Sequence, residues 1–195
     1  MSRAFTKEID DGPENDLPTI VGTELPAGVK NYMTPHGHRR FVDELRYLAG
    51  TKRPEVARLA AQAAATSDAL EEQTRKRNLR QTEARMQFLR QRIEQAEIVD
   101  PLKRATMDVA TDKVFFGATV LYRNRKGEQK RVSIVGVDET DIGAGYISFL
   151  SPLAKALLRA SEGDSVSFQS PAGVDELEVI EVMYCEIMMA AFVPA

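Results

Sequence analysis

Leu79, Thr82, Met86, Leu89, Ile93 and Ala96 recur at spacings of three, four, three, four and three. That rhythm is the a/d seam of a coiled coil, with Thr82 as its polar member. Nothing from Arg75 to Glu97 breaks a helix, since the run holds neither Gly nor Pro. Upstream, Val56, Leu59 and Ala63 carry an apolar stripe along the alanine-rich segment 56–65. Two such runs in succession predict an antiparallel helical hairpin, an arm of roughly 37 Å at 1.5 Å per residue. A two-helix coiled coil this short is marginal alone. It needs a base to stand on.

From Val114 the apolar period drops to two. Val114–Arg123 reads as a strand, Asn124–Gly127 as a turn, and Lys130–Val137 as a second strand with Val132 and Ile134 on one side. Gly145–Leu150 reads as a third. Ser151 caps a short helix over Leu153–Ala160. Glu162–Gly163–Asp164 turns the chain into a strand at Val166–Phe168, and a last strand spans Leu177–Tyr184. One short helix among several strands predicts a small domain on a strongly curved antiparallel sheet. The fold class is therefore α+β: an antiparallel coiled-coil hairpin followed by that sheet. Pro101 ends the return helix, and Asp100–Asp112 reads as the linker. The tail Ile187–Pro194 is more apolar than a free end should be, so it is expected to pack on this domain or on a second copy. A monomer is the simpler expectation, with a dimer through that tail as the alternative.

The hairpin's first helix opens at Thr34–Pro35, with Thr34 as N-cap and Pro35 where its missing N–H costs nothing. Phe41, Leu45 and Leu48 form its stripe, and Gly50 and Pro54 predict a kink or a second helical section. Residues 1–30 combine clustered acids with Pro and Gly and read as disordered or loosely draped. With 195 residues, 43 % of them hydrophobic, the chain can build one or two domains with a real core. No apolar run reaches the roughly 18 residues of a membrane span and the first residues form no apolar signal core, so a cytoplasmic protein with no membrane partner is expected. Cys185 is the only cysteine; among Met183, Ile187 and Met188 it reads as a buried structural thiol. His36 and His38 stand two apart, a spacing unsuited to a helical metal pair.

Residues 36–99 hold 13 Lys+Arg against 9 Asp+Glu, whereas residues 100–195 hold 10 against 14. The arm is basic and its base acidic, and Arg85, Arg90 and Arg92 read as solvated charges on the flanks of the coiled coil. At the bend three carboxylates gather, Asp68, Glu71 and Glu72. One reading makes Asp68, with Ser67, the cap of the return helix, and the glutamates its favourable first-turn charges. The other presents Asp68 and Glu71 together to a metal or partner beyond this chain.

Phe116–Gly117–Ala118, Ile134–Val135–Gly136, Gly145–Tyr146–Ile147–Ser148, Ser151–Pro152–Leu153–Ala154–Lys155–Ala156–Leu157–Leu158 and Glu162–Gly163–Asp164–Ser165–Val166 stand in the order found in the bacterial Gre transcript-cleavage factors. Arg53–Pro54–Glu55–Val56 and Ile98–Val99–Asp100–Pro101 resemble that family's coiled-coil landmarks. The resemblance covers roughly residues 30–185 and is closest in the second half. It implies a coiled-coil arm over 31–103 and an FKBP-like domain over 104–195 that docks on RNA polymerase, after the acidic segment 1–30. In the family the arm enters the polymerase secondary channel, and a D-x-x-E pair at its tip helps to hold a second Mg²⁺ in the polymerase active centre. Asp68–Ala69–Leu70–Glu71 has that spacing.

By that resemblance Asp68 and Glu71 are the catalytic and Mg²⁺-directing pair, the ion being held jointly with RNA polymerase and not by the isolated chain. Arg75, Lys76, Arg77 and Arg80, within two turns of the tip, would meet backtracked nascent RNA or the channel wall, or simply be solvated. The protein would not be an enzyme itself; it would stimulate the polymerase's own RNA cleavage. Family tips commonly continue Asn-Ala-x-Tyr, whereas Glu72–Gln73–Thr74–Arg75 follows here, and Glu72 could stand in for Glu71. The alternative function is a regulator or inhibitor that fills the channel without cleavage. A third, prolyl isomerase activity, rests on the FKBP-like fold alone and on no visible aromatic pocket set.

Overall fold

The computed structural model describes residues 25–63, 69–106, 111–170 and 173–194. The expectation of disorder over 1–30 therefore falls mostly outside the described residues, and the bend with Asp68 falls wholly outside them.

Strand β1 (Asn31–Met33) runs into helix α1 (Pro35–Tyr47), and Thr34 caps that helix by accepting from the Gly37 N–H. Five residues, Leu48–Lys52, then wind as a π-helix before α2 (Arg53–Ala63). Pro54 explains the wide turn. Its ring would strike the Gly50 carbonyl of a regular α-helix and it has no N–H to donate there, so the added residue lets the helix continue. The expected interruption is thus a bulge and not a break. Helix α3 (Ala69–Glu94) returns over 26 residues, about 39 Å of arm. Met86 and Leu89 of the predicted seam are buried against α1 and α2, and Leu79, Thr82 and Ile93 are half-buried. Toward the base, Met33, Phe41 and Leu89 form a compact apolar centre with Leu45, Leu48, Phe88 and Ile93 around it.

The return helix stops at Glu94, short of Pro101, where the sequence places its end. Ala96–Ile98 is a strand, β2, pairing in parallel with β1. Ala96 keeps its apolar place although the helix has gone. Pro101 opens a short helix, α4 (Pro101–Thr106), where a plain linker was expected.

The sheet of the second half contains β3 (Thr119–Asn124), β4 (Gln129–Val135), β5 (Tyr146–Ser148), β6 (Ser165–Ser170) and β7 (Gly173–Met183) in the order β5-β4-β3-β7-β6. All pairs are antiparallel except β4–β5, which is parallel. Val114 is buried but precedes the first strand by five residues; a turn at Phe115–Ala118 replaces the predicted strand start. Helix α5 (Pro152–Leu157), capped by Ser151, closes one face of the sheet, its Ala154 and Leu157 clustering with Val120, Ile134 and Val179. Among the described residues no helix is long and apolar enough to cross a membrane. Cys185 is exposed, not buried: its sulfur lies 3.6 Å from Thr119 Oγ1 at the end of β7. The alternation of β7 carries on past its last residue, Met183, so that Val182 and Tyr184 are buried and the thiol takes the opposite side.

Gly37 supplies a first test. An added Cβ would lie 1.8 Å from Glu139 Oε1. Helix propensity alone favours Gly37→Ala by about 1 kcal/mol. Glu139 is pinned by hydrogen bonds, however, and cannot swing away without orphaning buried donors. Gly37→Ala is expected to lower the melting temperature, where propensity alone would raise it.

Candidate functional site

Glu71 is the third residue of α3, in the first turn, where the helix dipole favours a carboxylate. Its side chain is about half exposed and its Oε1 accepts from Arg75 Nη2 at 3.0 Å. Glu72 makes the matching i, i+4 pair with Lys76. Leu70 between the acids and the bend is 74 % exposed. Arg77 and Arg80 are exposed on the faces away from the seam. The four predicted basic residues therefore split. Arg75 and Lys76 sit against carboxylates of their own helix, whereas Arg77 and Arg80 project into solvent. Pairs of this kind hold only about 0.3–0.5 kcal/mol each, so they open readily to another ligand.

A metal-directing role needs hard oxygen donors with room for waters and foreign ligands. Glu71 fits: it is a carboxylate near the end of an exposed arm. Among the described residues no group of three or more His, Cys, Asp or Glu could hold a metal by itself. His36, for one, is committed elsewhere, its Nε2 lying 2.8 Å from Glu186 Oε1.

The arm is aimed by its base, and there the structure contains residues that the sequence did not single out. Glu139 is 3 % exposed. It accepts from Thr34 N at 3.0 Å, from Thr34 Oγ1 and from Gly136 N at 2.8 Å, joining the cap of α1 to the loop after β4. Burial pushes its carboxyl above the usual range despite those donors. Beside it, Arg92 Nε lies 3.2 Å from Asp138 Oδ2, with both side chains nearly closed to solvent. That distance makes an ion pair, although Oδ2 has no hydrogen bond of good geometry. Burial likewise raises the Asp138 carboxyl, against the pull of Arg92. Arg92 is therefore no solvated flank charge. Arg85 is not one either: its Nε and Nη2 donate to Glu44 at 2.7 and 2.9 Å, and its guanidinium lies over Phe88. Tyr32 completes the joint by packing on Phe116 and Phe149 at 5.5 and 5.6 Å between ring centres. Phe116 and Phe149 also pack on each other, so one of the three clustered rings comes from β1 and two from the second half.

Comparison with known proteins bears on what such an arm is for. Residues 31–98 match the family model described as the N-terminal part of transcription elongation factors, and residues 109–184 match "Transcription elongation factor, GreA/GreB, C-term". Transcription elongation factor GreB of Neisseria meningitidis serogroup A is 42 % identical over 166 residues, which is 84 % of this chain and 99 % of that one. The chain belongs to the GreA/GreB family. Transcription elongation factor GreA of Xanthomonas axonopodis pv. citri is 41 % identical over 159 residues, covering 79 % of this chain and 98 % of the relative. Both halves of the Gre pattern are present in one chain, with the helical part first. The two family matches leave residues 1–30, 99–108 and 185–195 outside them.

Proposed function

We propose that this Gre factor binds RNA polymerase in the cytoplasm and stimulates cleavage of backtracked nascent RNA. The sheet unit would dock on the enzyme, and the arm would carry Asp68 and Glu71 through the secondary channel. The observation that supports this reading is an exposed carboxylate, Glu71, in the first turn of a helix whose other end is anchored about 35 Å away. Mg²⁺ shared with the polymerase would supply an activated water and stabilise the leaving oxygen. The residues of this chain present oxygen donors, hold them in weak, exposed pairs with cations of their own helix, and fix the arm's direction. The chain is thus a cofactor of the polymerase's cleavage activity, not a nuclease. Glu71–Arg75 and Glu72–Lys76 together hold the acids ready without burying them.

A second reading has its own support. Glu72–Gln73–Thr74–Arg75 replaces the Asn-Ala-x-Tyr common at family tips, and both described tip acids carry a basic partner. On that reading the arm fills the channel without stimulating cleavage.

The arm's free cations separate fold from function. Arg77→Glu combined with Arg80→Glu should leave the melting temperature nearly unchanged, because both side chains lie off the seam. It should slow stimulated cleavage several-fold at low salt. The deficit should narrow as salt rises, because screening removes what the charges contributed. A large melting shift with unchanged cleavage would return these residues to a structural role.

A further inference from the structure

Residues 186–194 leave the end of β7, outside the two stretches that match the Gre family, and lie along α1. Glu186 Oε1 meets His36 Nε2 at 2.8 Å, in the first turn of that helix. Ile187 is buried and lines, with Pro35, Pro101 and Leu102, a cavity of about 180 Å³ where α1, α4 and the tail meet. The Met188 carbonyl accepts from Tyr146 Oη at 2.9 Å, which fastens the segment to β5. Phe192 then packs on Tyr47, the last residue of α1, with ring centres 5.6 Å apart. The dimensions agree. From His36 to Tyr47 the helix rises about 16 Å, and the six residues from Glu186 to Phe192 can span roughly 20 Å when extended. The two anchors on α1 lie at its opposite ends, the second of them directly before the π-helical stretch.

We propose that residues 186–194 are a strap that fixes the direction of the arm on the sheet unit, with Phe192 and Tyr47 as its clasp. The β1 joint, made by Glu139, Arg92–Asp138 and Tyr32, holds one end of the arm. A second attachment one helix length away turns that pivot into a fixed angle. The strap deepens the functional reading above, since it matters only if the arm is the working part. These are positioning residues; none of them reaches the tip.

The test measures direction without polymerase. In a Cys185→Ser background, spin labels at Gln81→Cys on the exposed side of α3 and Lys126→Cys on the β3–β4 turn report the arm-to-sheet distance. The full chain should give one narrow distribution. Phe192→Ala, Tyr47→Ala and deletion of residues 186–195 should each broaden or shift it, with circular dichroism and the unfolding transition of the sheet unchanged. In transcript-cleavage assays the same variants should lose rate at saturating factor more than they lose polymerase affinity. An unchanged distribution in Phe192→Ala and in the deletion overturns the strap, and if the deletion fails to fold the point variant decides. Failure of the full chain to stimulate cleavage would count against the functional reading while leaving the distance result standing.

Discussion

Glu139→Ala is expected to destabilise the chain by on the order of 3 kcal/mol, more than any surface substitution discussed above. The side chain is the shared acceptor for Thr34 N–H, Thr34 Oγ1–H and Gly136 N–H. Removing it leaves those donors unpaired where almost no solvent reaches, and a buried orphaned donor costs about 1–3 kcal/mol. Thr34 also caps α1, so the first turn of the arm loosens with the joint. Glu139→Gln should cost less. One oxygen can still accept, but the amide NH₂ then faces a donor. Urea denaturation followed by circular dichroism gives the difference directly.

The same residue sets a pH dependence. Its folded-state pKa lies above the ordinary 4.5, with burial the main cause, and Asp138 is raised above 3.8 for the same reason. The folded chain therefore binds these protons more readily than the unfolded chain. Their contribution to stability is fully present below the unfolded values and is lost as pH rises through the folded ones. Unfolding free energies compared from mildly acidic to neutral pH should show the margin of the wild-type chain over Glu139→Gln narrowing as pH rises.

The arm was legible in the sequence because its seam repeats. Met86 and Leu89 are buried as the spacing demands, and Thr34 and Ser151 cap the helices that follow them. The joint was not legible. Asp138 and Glu139 are two adjacent acids after a strand, a pattern that solvated turns share, and Arg92 lies in a helix full of exposed arginines. Their burial follows from β1 and β2, three residues each and pairing across a separation of 65 positions, a contact that no local period reveals. Ala96 shows the limit most clearly. Its a/d spacing is right and its place is apolar, yet it belongs to a strand, because apolar spacing reports a side chain's burial and not its backbone hydrogen bonds. Cys185 was misjudged for a related reason: its neighbours are apolar, but the alternation of β7 continues just past its end and puts Tyr184 and Cys185 on opposite sides. At the tip, Glu71 stands exposed as the helix pattern implied, while its pairing with Arg75 needed the structure.

The second large effect concerns the tip. Asp68→Asn and Glu71→Gln keep shape while removing charge. Were Asp68 only an N-cap, Asn would replace it almost without cost. If the pair directs a metal, each substitution should cut stimulated cleavage by no less than the roughly 10–100-fold seen when a ligand's supporting partners are lost. Polymerase affinity should stay within a few-fold, because the proposed docking surface is on the sheet unit at the far end of the arm. Glu72→Gln is the matched control, and a larger loss there than at Glu71 would move the ligand by one position. For Glu71, loss of the carboxylate also frees Arg75 from its 3.0 Å pair. Its contribution to helix stability is a few tenths of a kcal/mol at most, so circular dichroism should barely register it.

The most direct measurement is release of short 3′ RNA fragments from a backtracked elongation complex, with Mg²⁺, in the presence of the unmodified protein or the Asp68→Asn, Glu71→Gln double variant. The unmodified protein should raise the rate well above that of RNA polymerase alone, and the double variant should bind the complex yet return the rate to the polymerase's own. Equal stimulation by both proteins would contradict the assignment of the acids, and tight binding by the unmodified protein with no stimulation would leave the channel-filling regulator in its place.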